Sequence, residues 1–353
     1  MMYKSIRPGQ EWLDTNGKRI EAHAGKIYYE NETFYWYGEN KEKTDGKHGI
    51  WTYGIRAYSS KDLYNWSDEG LIIPPELNDE NSNLHPSQRL DRPHIIFNKQ
   101  TQKYVCWIKI SGDRACFVIL TADNLLGPYK VVRENYRPYE KKVGDFDLVI
   151  DQATSKAYLY FEADHKNMIS AELTEDYLGV TTQYQVNFDG LIPPFVREAP
   201  AYVQRDGKHY LLTSGLTNYV PNPSEAAVSD TYLGPFETLG NLHPEDDSKS
   251  SYNSQISGVF KHPTKDLYIA LADRWVPDYQ MTAEKYDILS RVIAGRFDDS
   301  YSATVEEKQT LMDSPILGNV NTSKANYVWL PVEWENGVPF IRWYDEWCIE
   351  DFE

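Results

Sequence analysis

Arg197-Glu198-Ala199-Pro200-Ala201-Tyr202-Val203 runs into a turn at Arg205-Asp206-Gly207-Lys208 and returns as His209-Tyr210-Leu211-Leu212-Thr213. Turn-forming residues between two runs rich in Tyr and aliphatics specify a β-hairpin. The same unit recurs at Glu30 to Tyr37, Asn98 to Trp107, Asp151 to Tyr160 and His262 to Leu271. A second unit follows it in four places: Tyr58 to Trp66, Thr121 to Tyr129, Leu173 to Leu178 and Val228 to Phe236. These have the character of outer hairpins. Five repeats of about four strands each predict an all-β, five-bladed β-propeller rather than a sandwich. No interdomain linker interrupts the repeats, so residues 1–353 are expected to form one domain. Long amphipathic helical patterns are absent. The turn-rich stretches from Pro74 to Arg89 and Leu242 to Asn253 are expected to be loops over one face.

Tyr is present 27 times and Trp 10 times, which suits half-buried pleated surfaces and also provides stacking faces for sugar rings. A net charge of −17 argues against nucleic acid and against an anionic membrane as partner, and fits a neutral substrate. The three cysteines, Cys106, Cys116 and Cys348, are too scattered for a disulfide framework or a zinc site. The start of the chain has no apolar signal region, and no apolar run approaches membrane-spanning length. The expectation is a cytoplasmic protein, or a secreted or periplasmic one if a leader precedes this sequence.

GxSxG, P-loop, GxGxxG and HExxH patterns are missing, which removes support for hydrolase elbows, nucleotide cradles and zincins. What remains is one polar residue per repeat, placed where an inner strand is expected to begin: Glu39, Asp91, Asp145, Glu198 and Gln255. Inner strands of a propeller converge on its axis, so these side chains are expected to share one pocket. At such a strand mouth Glu198 is partly desolvated, its pKa rises, and it can deliver a proton near neutrality. The bland reading is a solvated Glu198 paired with Arg197. A lone Asp or Glu at such a place more often caps a turn.

Longer stretches carry a resemblance. Trp12 to Gly17, Ala22-His23-Ala24-Gly25, Trp36 to Lys41, Arg92 to Asn98, Arg197 to Ala201, Ser254-Gln255, Ala272 to Trp275 and Tyr327 to Pro331 occur in an order that resembles family-43 glycoside hydrolases, specifically the exo-β-1,3-galactanase branch. The resemblance implies a five-bladed propeller, an inverting mechanism and a galactose-type pocket. It implies that Glu198 is the general acid and that Asp145 tunes it. It also implies that Gln255 stands near the water in place of the usual first-strand Asp, which here gives way to Ala22-His23-Ala24-Gly25. An amide orients water but is a poor proton acceptor. Glu39, Asp91, Arg92, Thr213 and Trp275 are the expected substrate-binding residues, with Asp45 to His48 and Trp51 at the rim. Gly144 stands where the branch often has Arg, and Asp91 where it prefers Glu. No catalytic metal is expected; a structural Ca2+ near the axis is compatible with the resemblance.

The expected function is exo-hydrolysis of terminal β-galactosyl residues from β-1,3-galactan or arabinogalactan-type glycans. Other family-43 exo-glycosidases (β-galactofuranosidase, α-L-arabinofuranosidase, β-xylosidase) stand close by. The rival from another class is a sugar-binding propeller that kept the pocket and lost the base. If Gln255 stands in for a base, its amide should lie roughly 6.5–9.5 Å from the Glu198 carboxyl, across the bound sugar.

Overall fold

The computed structural model describes residues 2–353 except His48 and Asn319. Four repeats become antiparallel four-stranded blades, and the fifth a blade of four strands with one further short strand on it. The first is β1 (His23–Glu30), β2 (Thr33–Glu39), β3 (Ile55–Ser60) and β4 (Ser67–Ile73), paired in that order. The second holds β5 (Leu90–Asn98), β6 (Lys103–Ile110), β7 (Cys116–Ala122) and β8 (Lys130–Tyr136). The third holds β9 (Val143–Ile150), β10 (Ala157–Ala163), β11 (Asn167–Leu173) and β12 (Val180–Asn187). The fourth holds β13 (Arg197–Arg205), β14 (Lys208–Gly215), β15 (Glu225–Ser229) and β16 (Glu237–Asn241). The fifth starts with β17 (Gln255–Lys261) and β18 (Tyr268–Arg274). It ends, after β19 (Asn326–Tyr327), with β20 (Leu330–Glu335) and β21 (Val338–Phe340).

The innermost strands touch in the cyclic order β1, β5, β9, β13, β17 and back to β1, so the chain is a five-bladed β-propeller. The sequence hairpins all fall between first and second strands, and the second unit between third and fourth. Burial follows the radius. β5 and β9 are mostly buried, whereas β8 is exposed along nearly its whole length. Apolar wedges fill the seams between blades: Trp107, Phe117, Phe146 and Phe161 between the second and third, and Trp12, Trp36, Trp66 and Trp329 between the fifth and first. An antiparallel bridge from Ile6 to Trp347 ties the two ends of the chain together.

Two expectations need correction. Glu39 does not begin an inner strand. It ends β2, opposite His23 of β1, because the first-blade hairpin brings the end of its second strand to the axial mouth. Helices also exist: α1 (Ala283–Ala294) and α2 (Val305–Asp313) are inserted between β18 and β19. Thr282 caps α1, and Thr304 with Glu307 forms a capping box on α2. Both helices are short and only partly apolar, so local caps and packing against the propeller stabilise them rather than a long hydrophobic stripe.

The inner strands share a local irregularity at their axial ends. β1, β5 and β13 each slip register there, and Ala24, Arg92 and Ala199 take positive φ of 47°, 48° and 49°. β9 slips over Gly144 and Asp145. A bulge re-aims the side chains beside it, and non-glycine residues with positive φ cost on the order of 1–3 kcal/mol each. The same device repeated in several blades turns their strand mouths inward on one spot.

Candidate active site

That spot is a polar cavity of about 420 Å³. Glu39, Asp91, Arg92, Asp145, Glu198, Gln255 and Trp275 all line it, together with Trp51. Of the remaining rim residues, Asp45, Gly46 and Lys47 do not line it, and His48 lies outside the described residues. Thr213 is not in the cavity. Its hydroxyl and carbonyl accept hydrogen bonds from Arg197 at 3.0 and 2.6 Å, on the strand face turned away from the axis. Adjacent strand residues point oppositely, so Arg197 cannot pair with Glu198 as the bland reading requires. It pairs instead with Glu225 at 3.2 Å.

Arg92 is the cation at the centre. Its Nε lies 3.0 Å from Asp145 Oδ1, one of its terminal nitrogens donates to Gln255 Oε1 at 3.3 Å, and its backbone N–H donates to Glu39 Oε1 at 2.9 Å. Lys109 donates to the same Asp145 oxygen at 2.5 Å and lies 3.6 Å from Asp91. Asp91 also accepts from Trp51 Nε1 at 2.6 Å and from the Ser111 hydroxyl. Glu39 is closed off by Lys41 at 2.7 Å.

The electrostatics divide the carboxyls. Burial pushes Glu198 well above the ordinary carboxylate range, and the charges of Asp145 and Glu162 add to the push against Lys109 and Arg92. Burial would also raise Asp145, but Arg92 and Lys109 outweigh it and hold Asp145 at about 2. One carboxyl thus holds its proton more tightly than an ordinary carboxylate and the other less tightly, the arrangement that separates an acid from an anionic partner. Glu39 is raised by burial despite Lys41, and the nearby Asp91 adds to the effect.

Gln255 departs from expectation. Its Nε2 donates to Glu198 Oε1 at 3.2 Å and to Ser214 Oγ at 3.1 Å. Its Oε1 accepts from Trp275 Nε1 at 3.2 Å and from Arg92. Trp and Arg can only donate, so the amide orientation follows from its neighbours. At direct hydrogen-bond distance from Glu198, Gln255 does not stand across a sugar at roughly 6.5–9.5 Å. The reason is register: Glu198 and Gln255 head the neighbouring inner strands β13 and β17, which are in contact. At the head of β1, Ala24 lines the cavity and offers no carboxylate. His23 beside it is buried and donates from Nδ1 to Asp273 Oδ1 at 2.8 Å. Burial lowers the affinity of His23 for its proton, yet Asp273 and Glu21 outweigh that and raise its pKa.

Several cavity residues escaped the sequence reading, Lys109 and Glu162 chief among them. Lys109 and Glu162 each sit near the end of a second strand, in Trp107-Ile108-Lys109-Ile110 and Tyr160-Phe161-Glu162-Ala163. A lone charge in an otherwise apolar strand was the available signal. Glu162 is 1% exposed; one carboxylate oxygen pairs with His165 at 3.0 Å and the other has no partner among the described residues. It also explains Gly144. A Cβ there would fall 1.8 Å from Glu162 Oε2, so a larger residue fits only if this carboxylate moves aside. Among the described residues no group of three or more His, Cys, Asp or Glu side chains is arranged to hold a metal ion, and no helix is long and apolar enough to cross a membrane.

Similar proteins share this architecture. A family-43 β-1,3-galactosidase of known structure is 31% identical with a TM-score of 0.79 over 99% of this chain, which spans 64% of that protein's length. A second, solved with galactodeoxynojirimycin, is 25% identical with a TM-score of 0.76 over 98% of this chain and 100% of its own. An exo-β-1,3-galactanase from Phanerochaete chrysosporium, solved with galactose, shares the fold at 24% identity and a TM-score of 0.77 over 98% of this chain and 68% of its own. No curated protein matches the chain. The sequence profile of glycosyl hydrolases family 43 matches residues 22–292. With that match laid over a five-bladed propeller whose axial pocket holds Glu198 and Asp145, the chain belongs to glycosyl hydrolase family 43 and is a glycoside hydrolase.

Proposed function

We propose that the enzyme removes terminal β-galactosyl residues from β-1,3-galactan-type glycans with inversion at the anomeric carbon. The observation that carries this reading is the contrast between Glu198 and Asp145 in one sugar-sized cavity. Glu198 donates its proton to the glycosidic oxygen as the bond breaks. Asp145, held ionised by Arg92 and Lys109, keeps Glu198 protonated until then and offers negative charge to the oxocarbenium-like transition state. Gln255 orients Glu198 and, by donating to it, stabilises the carboxylate left behind. Ala24 leaves no base on the first strand, so bond cleavage runs ahead of water attack and the water needs orienting more than deprotonating. Gln255 reaches that water only when bound sugar separates it from Glu198. The 31% identity to a β-1,3-galactosidase supports galactose as the sugar.

Proton NMR during turnover of the methyl β-glycoside of β-1,3-galactobiose, which frees a single reducing galactose, tests this. The expected first product is α-galactose, mutarotating afterwards. β-Galactose as first product would exclude inversion, and binding without turnover would favour the sugar-binding propeller.

A further inference from the structure

Beside the polar cavity lies a second, larger one of about 640 Å³ with the opposite character. Leu191, Ile192, Leu216, Phe297, Ile316 and Leu317 supply its walls, part from the third and fourth blades and part from the helical insertion. His165, Leu216 and Asn218 line both cavities, so the two adjoin along these side chains. The join is at the acid. Glu198 faces Ser214 in the β13–β14 register, and Leu216 follows directly on that strand. Asn218 then pins the insertion to it by donating to the Ile316 carbonyl at 3.1 Å.

We infer that this cleft seats the leaving group, and that it takes an apolar alcohol or phenol in addition to the sugar chain named above. A general acid stands next to the oxygen that departs, so the departing group must extend from the Glu198 side of the sugar pocket, where the cleft opens. The lining is mostly apolar; Lys166 and Arg296 are, among the described residues, its free-standing cations, while its other charged groups are already engaged. Asp164 is held by Lys141 at 2.9 Å, Asp189 by Asn167 at 2.8 Å, and His165 by Glu162 at 3.0 Å. Phe297, Leu317 and Leu191 meanwhile stay 59%, 51% and 38% exposed. Apolar surface left open in this way, contiguous with a catalytic pocket, marks a site for an apolar group.

The inference rests on the galactosidase reading, and the test separates the two. Methyl and n-octyl β-galactoside are compared as competitive inhibitors of 4-nitrophenyl β-galactoside hydrolysis. The octyl compound is expected to bind at least about 30-fold more tightly, since four buried methylenes more than suffice. Phe297→Ser and Leu317→Ser, changes at exposed positions, are expected to cut that ratio below about 3-fold while the methyl glycoside is inhibited as before. Equal inhibition by the two glycosides in the parent enzyme would overturn the inference, as would a ratio that survives both substitutions. A parent dimer in sedimentation that Phe297→Ser dissolves would assign the surface to a second copy and also overturn it. If no galactoside is hydrolysed, the sugar reading fails, and the octyl-to-methyl ratio on the sugar that is hydrolysed decides the cleft.

Discussion

Glu198 concentrates the chemistry in one titration. In the proposed mechanism it must carry its proton to act, so activity should fall as pH rises through its elevated pKa. Glu162→Gln removes a charge that raises it, and the basic limb of kcat/KM should move to lower pH. An unshifted limb would mean that Glu162 plays no electrostatic part. Glu198→Gln should lower turnover of galactobiose by about 10²-fold or more and affect aryl galactosides with good leaving groups less. The same substitution reports on stability. A carboxyl whose folded pKa is raised favours the fold below the ordinary carboxylate range, and that contribution is lost as pH climbs through the raised value. Glu198→Gln should therefore raise Tm at pH 7 by roughly 1–3 °C and leave it unchanged near pH 4. Gln255→Glu puts a second carboxyl within hydrogen-bond distance of the acid, where the pair shares a proton; activity should collapse rather than recover through a new base. That Glu198, Asp145 and Gln255 share one cavity was legible because each stands at the head of an inner strand. Their mutual distance was not, since it depends on how two neighbouring blades meet.

The strand-mouth bulge is the element that turns a repeat into a site. Gly144 is the place to test it. Gly144→Ala drives a Cβ into Glu162, which must move. The expected outcome is a pH profile that resembles that of Glu162→Gln, with Arg92 and Lys109 still holding Asp145. Hairpin turns could be read residue by residue, because Asn, Asp, Gly and Lys mark them locally. The bulges could not: Ala24, Arg92 and Ala199 adopt positive φ with no glycine to announce it. The helices were missed for a related reason. Thr304-Val305-Glu306-Glu307 is a capping box in plain view, but a nine-residue helix carries too short a pattern for periodicity to register. Thr213 was misplaced by one step of the strand alternation, which sends it to the Arg197 face.

At the scale of the molecule, five seams of apolar packing hold the blades in a ring, and the ring shuts through the chain ends. Trp347 and Ile349 belong to the same cluster as Trp12 and Trp36, and Trp347 pairs with Ile6. Trp347→Ala should destabilise by about 3–5 kcal/mol, the usual range for emptying a buried aromatic site, measured by denaturant unfolding at constant m-value. A loss under 1 kcal/mol would mean that the seam closes without the terminal segment. The repeat count was legible from the sequence because each blade repeats the same local code; the closure was not, because it joins residues more than 300 positions apart. That separation carries a consequence in time. Arg92 comes from the second blade, Glu198 from the fourth and Gln255 from the fifth, while Tyr327 stacks on His23 behind Ala24. A ribosome making about 5–20 residues per second releases the last of these groups many seconds after the first. Until then every earlier blade presents an open seam and an unfinished pocket. The nascent chain is thus inert toward sugar through most of its synthesis, and its catalytic life begins in a single event, when the last strands join the first.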